Sequence, residues 1–324
     1  MKENNLKIVK GNLKNDNDIF DLEQTRPENC PNCNAKTTDR ACCVKCGKYI
    51  DKDGFAPEEE FLWSKAWFAA VNRDYGKAIE INSELIKMFP EKSRYYSDRG
   101  RDYFHNGQYK EAIADYNKAI ELEPDNDWNY EGRAMVYMEN KQYDEAFADY
   151  TKMIEMHPEI PNKYRNRAAA YSSAGQYDKA IADFSKGLEL TEDFFKNPAI
   201  DEYGEKYFES GNSKYYPLPL YYYLNSRAYA YKELGQFEKA IADINNALET
   251  CDLAYDRSCL YNSRAEIFEA AGEYQKAIND CKKALELTLH MEAKIPSTNE
   301  ILERCRNKLM GRVKRNRFNS FRKS

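Results

Sequence analysis

Histidine is scarce: His105, His157 and His290 are the only three in 324 residues. None stands in a nucleophile–base pattern, and no glycine-rich phosphate loop or G-x-S-x-G elbow occurs anywhere. Paired carboxylates abound, but only at the spacing of helix surfaces. These gaps argue against an enzyme. Long apolar runs are missing too. Residues 1–25 are polar, without the core of a signal peptide, and no stretch is long enough to span a bilayer. The expected location is therefore the cytoplasm.

What the chain has in excess is tyrosine, 26 against only 14 glycines. So many half-polar rings suit shallow layers of stacked helices better than one thick core. Hydrophobic residues at 42% and charged ones at 32% fit a folded, water-soluble protein. The length admits two ordinary domains or one elongated array. The net charge of −5 is unevenly spread: Leu302–Ser324 holds nine Lys or Arg and one acid. That leaves about −13 for the rest by difference, an acidic body with a basic end.

Sliding the chain along itself exposes a repeat. GQYKEAIADYNKAIELEP at 107–124 returns as KQYDEAFADYTKMIEMHP at 141–158, then as GQYDKAIADFSKGLEL, GQFEKAIADINNAL and GEYQKAINDCKKALEL from Gly175, Gly235 and Gly272. A divergent copy lies at 74–90. The units are 59–92, 93–126, 127–160 and 161–194 at a step of 34, followed by 221–254 and 258–291. Within a unit, Tyr96, Gly100 and Tyr103 share one helix face, and Tyr109, Ala112, Tyr116 and Ala119 share a second. Small residues at Gly100, Ala112 and Ala119 allow two helices to approach. Glu123-Pro124 ends the second helix, because proline cannot continue it. Each pair buries one side only, so neighbours must stack.

The period and the small/aromatic pattern resemble the tetratricopeptide-repeat (TPR) family over more than two thirds of the chain. The resemblance implies an all-α, right-handed superhelical solenoid of about six helix-turn-helix repeats spanning 57–291. One departure stands out. At the seventh position, where the family commonly has Leu, five units carry Arg99, Arg133, Arg167, Arg227 and Arg264. At the twenty-third, the same five carry Asp115, Asp149, Asp183, Asp243 and Asp280. The first unit has Lys65 and Ile81 instead. Carboxylates repeating in step with arginines predict charge-assisted bridges that fix register; a row of ligand-binding arginines is the alternative.

In the family, positions two, five, nine and twelve of the first helices line a concave groove. Carried onto this chain, the resemblance places Trp63, Trp67, Arg94, Arg101, Phe104, Trp128, Met135, Met138 and Arg165 there, with Asn166 beside them. Trp, Met and Arg dominate binding hot spots. A peptide or partner protein of some acidic character is thus expected between Trp63 and Met138. Trp63 and Trp67 could instead pack under the segment that precedes them. The carboxylate clamp by which TPR co-chaperones hold heat-shock chaperones is not reproduced. Asn166 matches its middle element, but Glu131 and Met135 precede it and Tyr222 and Ser226 follow.

Five of the nine cysteines fall between Cys30 and Cys46. Two C-x-x-C knuckles, Cys30/Cys33 and Cys43/Cys46, place four thiolates for tetrahedral zinc. Residues 27–52 thus resemble a zinc ribbon, behind a flexible segment at 1–26. Four thiolates leave no open position, so the zinc is expected to be structural. A thioredoxin-like redox pair lacks its βαβ setting. Residues 195–220 interrupt the array, and Ile200, Tyr203, Tyr207 and Phe208 could form a short amphipathic helix there. A capping helix is expected at 296–311, opened by a Ser297–Glu300 capping box and striped by Ile301, Leu302, Cys305 and Leu309. A basic, solvated tail follows at 312–324. The functional expectation is a non-catalytic scaffold for protein binding. The alternative is a nucleic-acid-associated factor using the zinc ribbon and the basic tail.

Overall fold

The computed structural model describes residues 58–196, 218–289 and 296–321, with side chains of the last segment to Gly311. The zinc-ribbon segment and most of the insertion lie outside the described residues. The expected TPR-like solenoid is present: thirteen helices and no strand occur among the described residues. They fall into two compact units, divided after Met156. The first holds α1 (Glu58–Val71), α2 (Tyr75–Met88), α3 (Ser93–His105), α4 (Tyr109–Leu122), α5 (Asp127–Glu139) and α6 (Tyr143–Met156). The second holds α7 (Pro161–Ser173), α8 (Tyr177–Lys196), α9 (Leu220–Glu233), α10 (Phe237–Thr250), α11 (Ala254–Ala270), α12 (Tyr274–Leu287) and α13 (Pro296–Phe321).

In both units each helix packs on the next in sequence. First helices also touch first helices: α3 meets α5 in the first unit, and α7–α9, α9–α11 and α11–α13 meet in the second. One wall of each unit is therefore built from first helices. The hairpins close where side chains are smallest. Ala78, Ala112, Ala146, Ala180, Ala240 and Ala277, one per second helix, are all fully buried. They face Ala66, Gly100, Ala134, Ala168, Ala228 and Ala265 of the first helices, which are buried as well. The turn between the two helices needs one left-handed residue. Gly107, Gly175, Gly235 and Gly272 supply it at φ +70 to +77°, while Arg73 and Lys141 adopt it without glycine's freedom.

The five Arg–Asp bridges form within hairpins, each bidentate. Nε and Nη2 of Arg99 donate to Asp115 at 2.7 Å each, and Arg227 to Asp243 at 2.8 and 2.7 Å. Arg133–Asp149, Arg167–Asp183 and Arg264–Asp280 repeat the fork. Nη1 reaches back to the preceding hairpin: from Arg99 to Ser83, Arg133 to Asn117, Arg227 to Ser185 and Arg264 to Asn245. Tyrosine rings flank these guanidiniums, as Tyr96 and Tyr103 flank Arg99 and Tyr130 and Tyr137 flank Arg133. Much of the tyrosine excess is spent here.

Three details differ from the sequence reading. Residues 255–257, outside the repeat units, form part of an added first turn of α11. There Arg257 Nη1 donates to the carbonyls of Leu248 and Cys251, satisfying the end of α10. Ser297 does not cap α13. The helix begins at Pro296, whose fixed φ and missing N–H suit a first position, and Ser297 Oγ accepts from Asn262. Finally, α13 does not stop near 311 but continues as helix to Phe321.

Candidate functional site

The predicted groove residues divide between the units, eight on the first and two on the second. In the first, α1, α3 and α5 present the wall. Trp67 is 37% exposed, Trp128 52% and Met135 48%, whereas Met138 is half-buried. Phe104 leans inward against the cluster of Ala112, Tyr116 and Val136, with its ring near Tyr109. Trp63 is committed to α3: its Nε1 donates to Asp98 Oδ2 at 3.0 Å, and the Arg94 guanidinium lies 4.0 Å over its ring. Arg101 Nη2 donates to the other Asp98 oxygen at 2.8 Å. Glu59 also accepts from Lys92 and Tyr95, so α1 is stitched to the second hairpin at two levels. Asp98 thus organises two cations, Arg94 at 3.9 Å and Arg101, and one indole. An acidic ligand meeting Arg101 competes with that carboxylate.

In the second unit, Arg165 Nη2 donates to Asn166 at 2.8 Å. In the same unit a cavity of about 330 Å³ opens between α7, α9 and α11. Ser172, Asn225, Tyr229, Lys232 and Glu266 rim it above a floor of Phe184, Ala228, Ile244 and Ile267. Lys232 Nζ sits 4.6 Å over the Tyr229 ring and 3.6 Å from Glu266, so its charge is largely answered. Asn225 Oδ1 and Ser172 Oγ are buried without a partner, which suits a ligand that offers N–H groups. Sequence reasoning did not single out Asn225, Tyr229 and Lys232. They stand at positions five, nine and twelve of the fifth unit, so extending the same register would have reached them.

The comparisons with known proteins agree with the repeat fold. A TPR-repeat model matches residues 100–141, and tetratricopeptide-repeat models match 161–194 and 129–160, 221–251 and 260–289. Tetratricopeptide repeats thus occupy residues 100–194, 221–251 and 260–289 of the chain. Among solved structures, yeast Tom70 aligns at TM-score 0.52 and 18% identity over 79% of this chain and 48% of its own. The Cut9–Hcn1 hetero-tetramer of the APC/C aligns at 0.50 and 14% identity over 76% of this chain and 42% of its counterpart. This chain spans less than half the length of either, and the likeness is one of fold. No curated protein matches the chain by sequence. Among the described residues no helix is long and apolar enough to cross a membrane.

Proposed function

We propose that the chain is a non-catalytic scaffold that holds a peptide or partner protein against its first helices. One observation carries this reading: Trp67, Trp128 and Met135 are exposed on the same wall. Large apolar side chains gathered on one exposed face mark an interaction surface, and these residue types contribute most when a partner covers them. Arg94 and Arg101 add cationic character, favouring a ligand with acidic as well as apolar groups. Joint replacement Trp128→Ala and Met135→Ala should weaken capture of a partner by roughly 30-fold or more while the circular-dichroism signal of helix stays unchanged. Capture at wild-type strength by the folded double variant would refute the assignment.

For the N-terminal segment we propose a structural zinc held by Cys30, Cys33, Cys43 and Cys46, supported by knuckle spacing. Four thiolates satisfy the metal, and so short a segment needs it to fold. Metal analysis of the purified chain should return about one zinc per molecule. Rapid alkylation of Cys30 and Cys46 under native conditions would overturn the site. The competing nucleic-acid reading draws on the basic residues that α13 carries beyond Gly311. It requires steeply salt-dependent binding of a nonspecific oligonucleotide, lost when 312–324 is removed.

A further inference from the structure

Beneath Trp67, in the floor of the first unit's wall, lies a polar pair that the binding reading does not use. Asp102 of α3 is 1% exposed and Asn82 of α2 is 2% exposed. Asn82 Nδ2 donates to Asp102 Oδ2 at 2.8 Å. The remaining oxygens, Asp102 Oδ1 and Asn82 Oδ1, are both buried and both without a partner. The crevice these residues line with Trp63, Trp67 and Arg101 is too narrow to admit a water molecule. Two orphaned acceptors in so dry a place are costly. An ionised Asp102 cannot relieve either of them, because a carboxylate only accepts. A neutral carboxylic acid offers one donor and one acceptor, the complement of a carboxamide's C=O and N–H. One proton on Asp102 therefore supplies the donor that both orphans lack.

The surroundings favour that proton. Burial is the largest influence and raises the carboxyl from an ordinary 3.8 to about 7, against the lowering effect of Arg101; Asp98 raises it further. Arg101 spends its hydrogen bond on Asp98, not on Asp102. From the other packed elements, α2 presents the neutral Asn82, α4 the neutral phenol of Tyr116, and α1 the indole of Trp63, which faces Asp98. His105, one turn along α3, is held below its usual value by burial and by Arg101.

We infer that Asp102 keeps a proton, shared with Asn82, through the weakly acidic range and gives it up near neutrality, and that this ionisation is a pH-sensitive element in the floor of this wall. The folded chain then holds a proton that the unfolded chain releases above about pH 4. Folding stability must fall as pH rises from there toward 7 and level off once the folded form ionises too. Ionisation also places a second anion beside Arg101. On the scaffold reading, this weakens the hold on an acidic ligand.

The decisive variant is Asp102→Asn, whose amide can donate an N–H and accept at its oxygen as the neutral acid does, with one N–H in excess. Its melting temperature should match wild type near pH 4 and exceed it by a few degrees at pH 8, with the gap opening between. A variant less stable than wild type throughout pH 6–8 would overturn the inference, because the fold would then depend on the carboxylate. With aspartate side chains labelled in 13C, wild type should show one carboxyl titrating near neutrality, and Asp102→Asn should lack it. If all aspartates titrate in the ordinary acidic range, the inference fails whatever the variant does. A fluorescein-labelled peptide of alternating Glu and Leu supplies the binding arm. Its affinity should drop between pH 6 and 8.5 for wild type and stay level for Asp102→Asn; a parallel drop in both removes Asp102 from ligand control. A peptide that binds neither protein at any pH refutes the scaffold reading alone, since the melting and carbon titrations still decide the state of Asp102.

Discussion

The five repeated arginines use their guanidiniums as joints. In each, two donors grip the aspartate of its own hairpin, and in four of them a third is seen to reach the second helix of the hairpin before. A lysine cannot replace such an arginine, because a single ammonium lacks the planar fork. Asp243 is almost fully enclosed, while Arg227 keeps some solvent contact. Removing the carboxylate in Asp243→Ala leaves that guanidinium unanswered, so chemical denaturation should register a loss of about 3 kcal/mol, the lower end for broken buried pairs. A loss under about 0.5 kcal/mol would mean that the bridge is no stronger than a surface pair. The bridges were legible in sequence because both partners recur unchanged sixteen residues apart. The third bond was not. Its acceptors vary, being Ser83, Asn117, Ser185 and Asn245, and a position whose residue type keeps changing leaves no visible period.

At the scale of elements, helix existence was readable and helix length was not. Apolar spacing marks Ile301, Leu302 and Cys305, which are buried against Ala265, Phe268, Ile278 and Cys281 as expected. Thr298 and Ser297 engage Asn262, and Arg304 and Lys308 both donate to Glu269, so α13 is tied to α11 along its first three turns. Beyond Gly311 the apolar stripe stops, which suggested a tail. The backbone nevertheless stays helical, because Arg and Lys are good helix formers and no proline intervenes. Charge composition reports on solvation, not on backbone state. Truncation before Pro296 should strip cover from Ile278 and Cys281 and lower both soluble yield and melting temperature of the second unit. Truncation after Gly311 should leave melting unchanged. Equal behaviour of the two truncations would show that α13 does not cap the array.

For the whole molecule, the 34-residue step runs through 59–194 without a break, yet the described helices gather into two compact units divided after Met156. Periodicity reports that hairpins are alike, and is silent on where packing between them is dense. For the same reason the groove positions could be numbered from the sequence, but not the burial that turns Trp63 and Phe104 inward and leaves Trp128 exposed.

The backward reach of the arginines gives the row a direction. The first hairpin carries Lys65 where the others carry arginine, and none of the described hairpins stands before it to receive a third bond. A copy of the 93–126 hairpin placed after itself would find Asn117 behind it and Arg133 ahead, keeping those joints closed. A copy of the first hairpin inserted mid-row would leave an acceptor idle. Copying that interior hairpin thus lengthens the row without losing a bond.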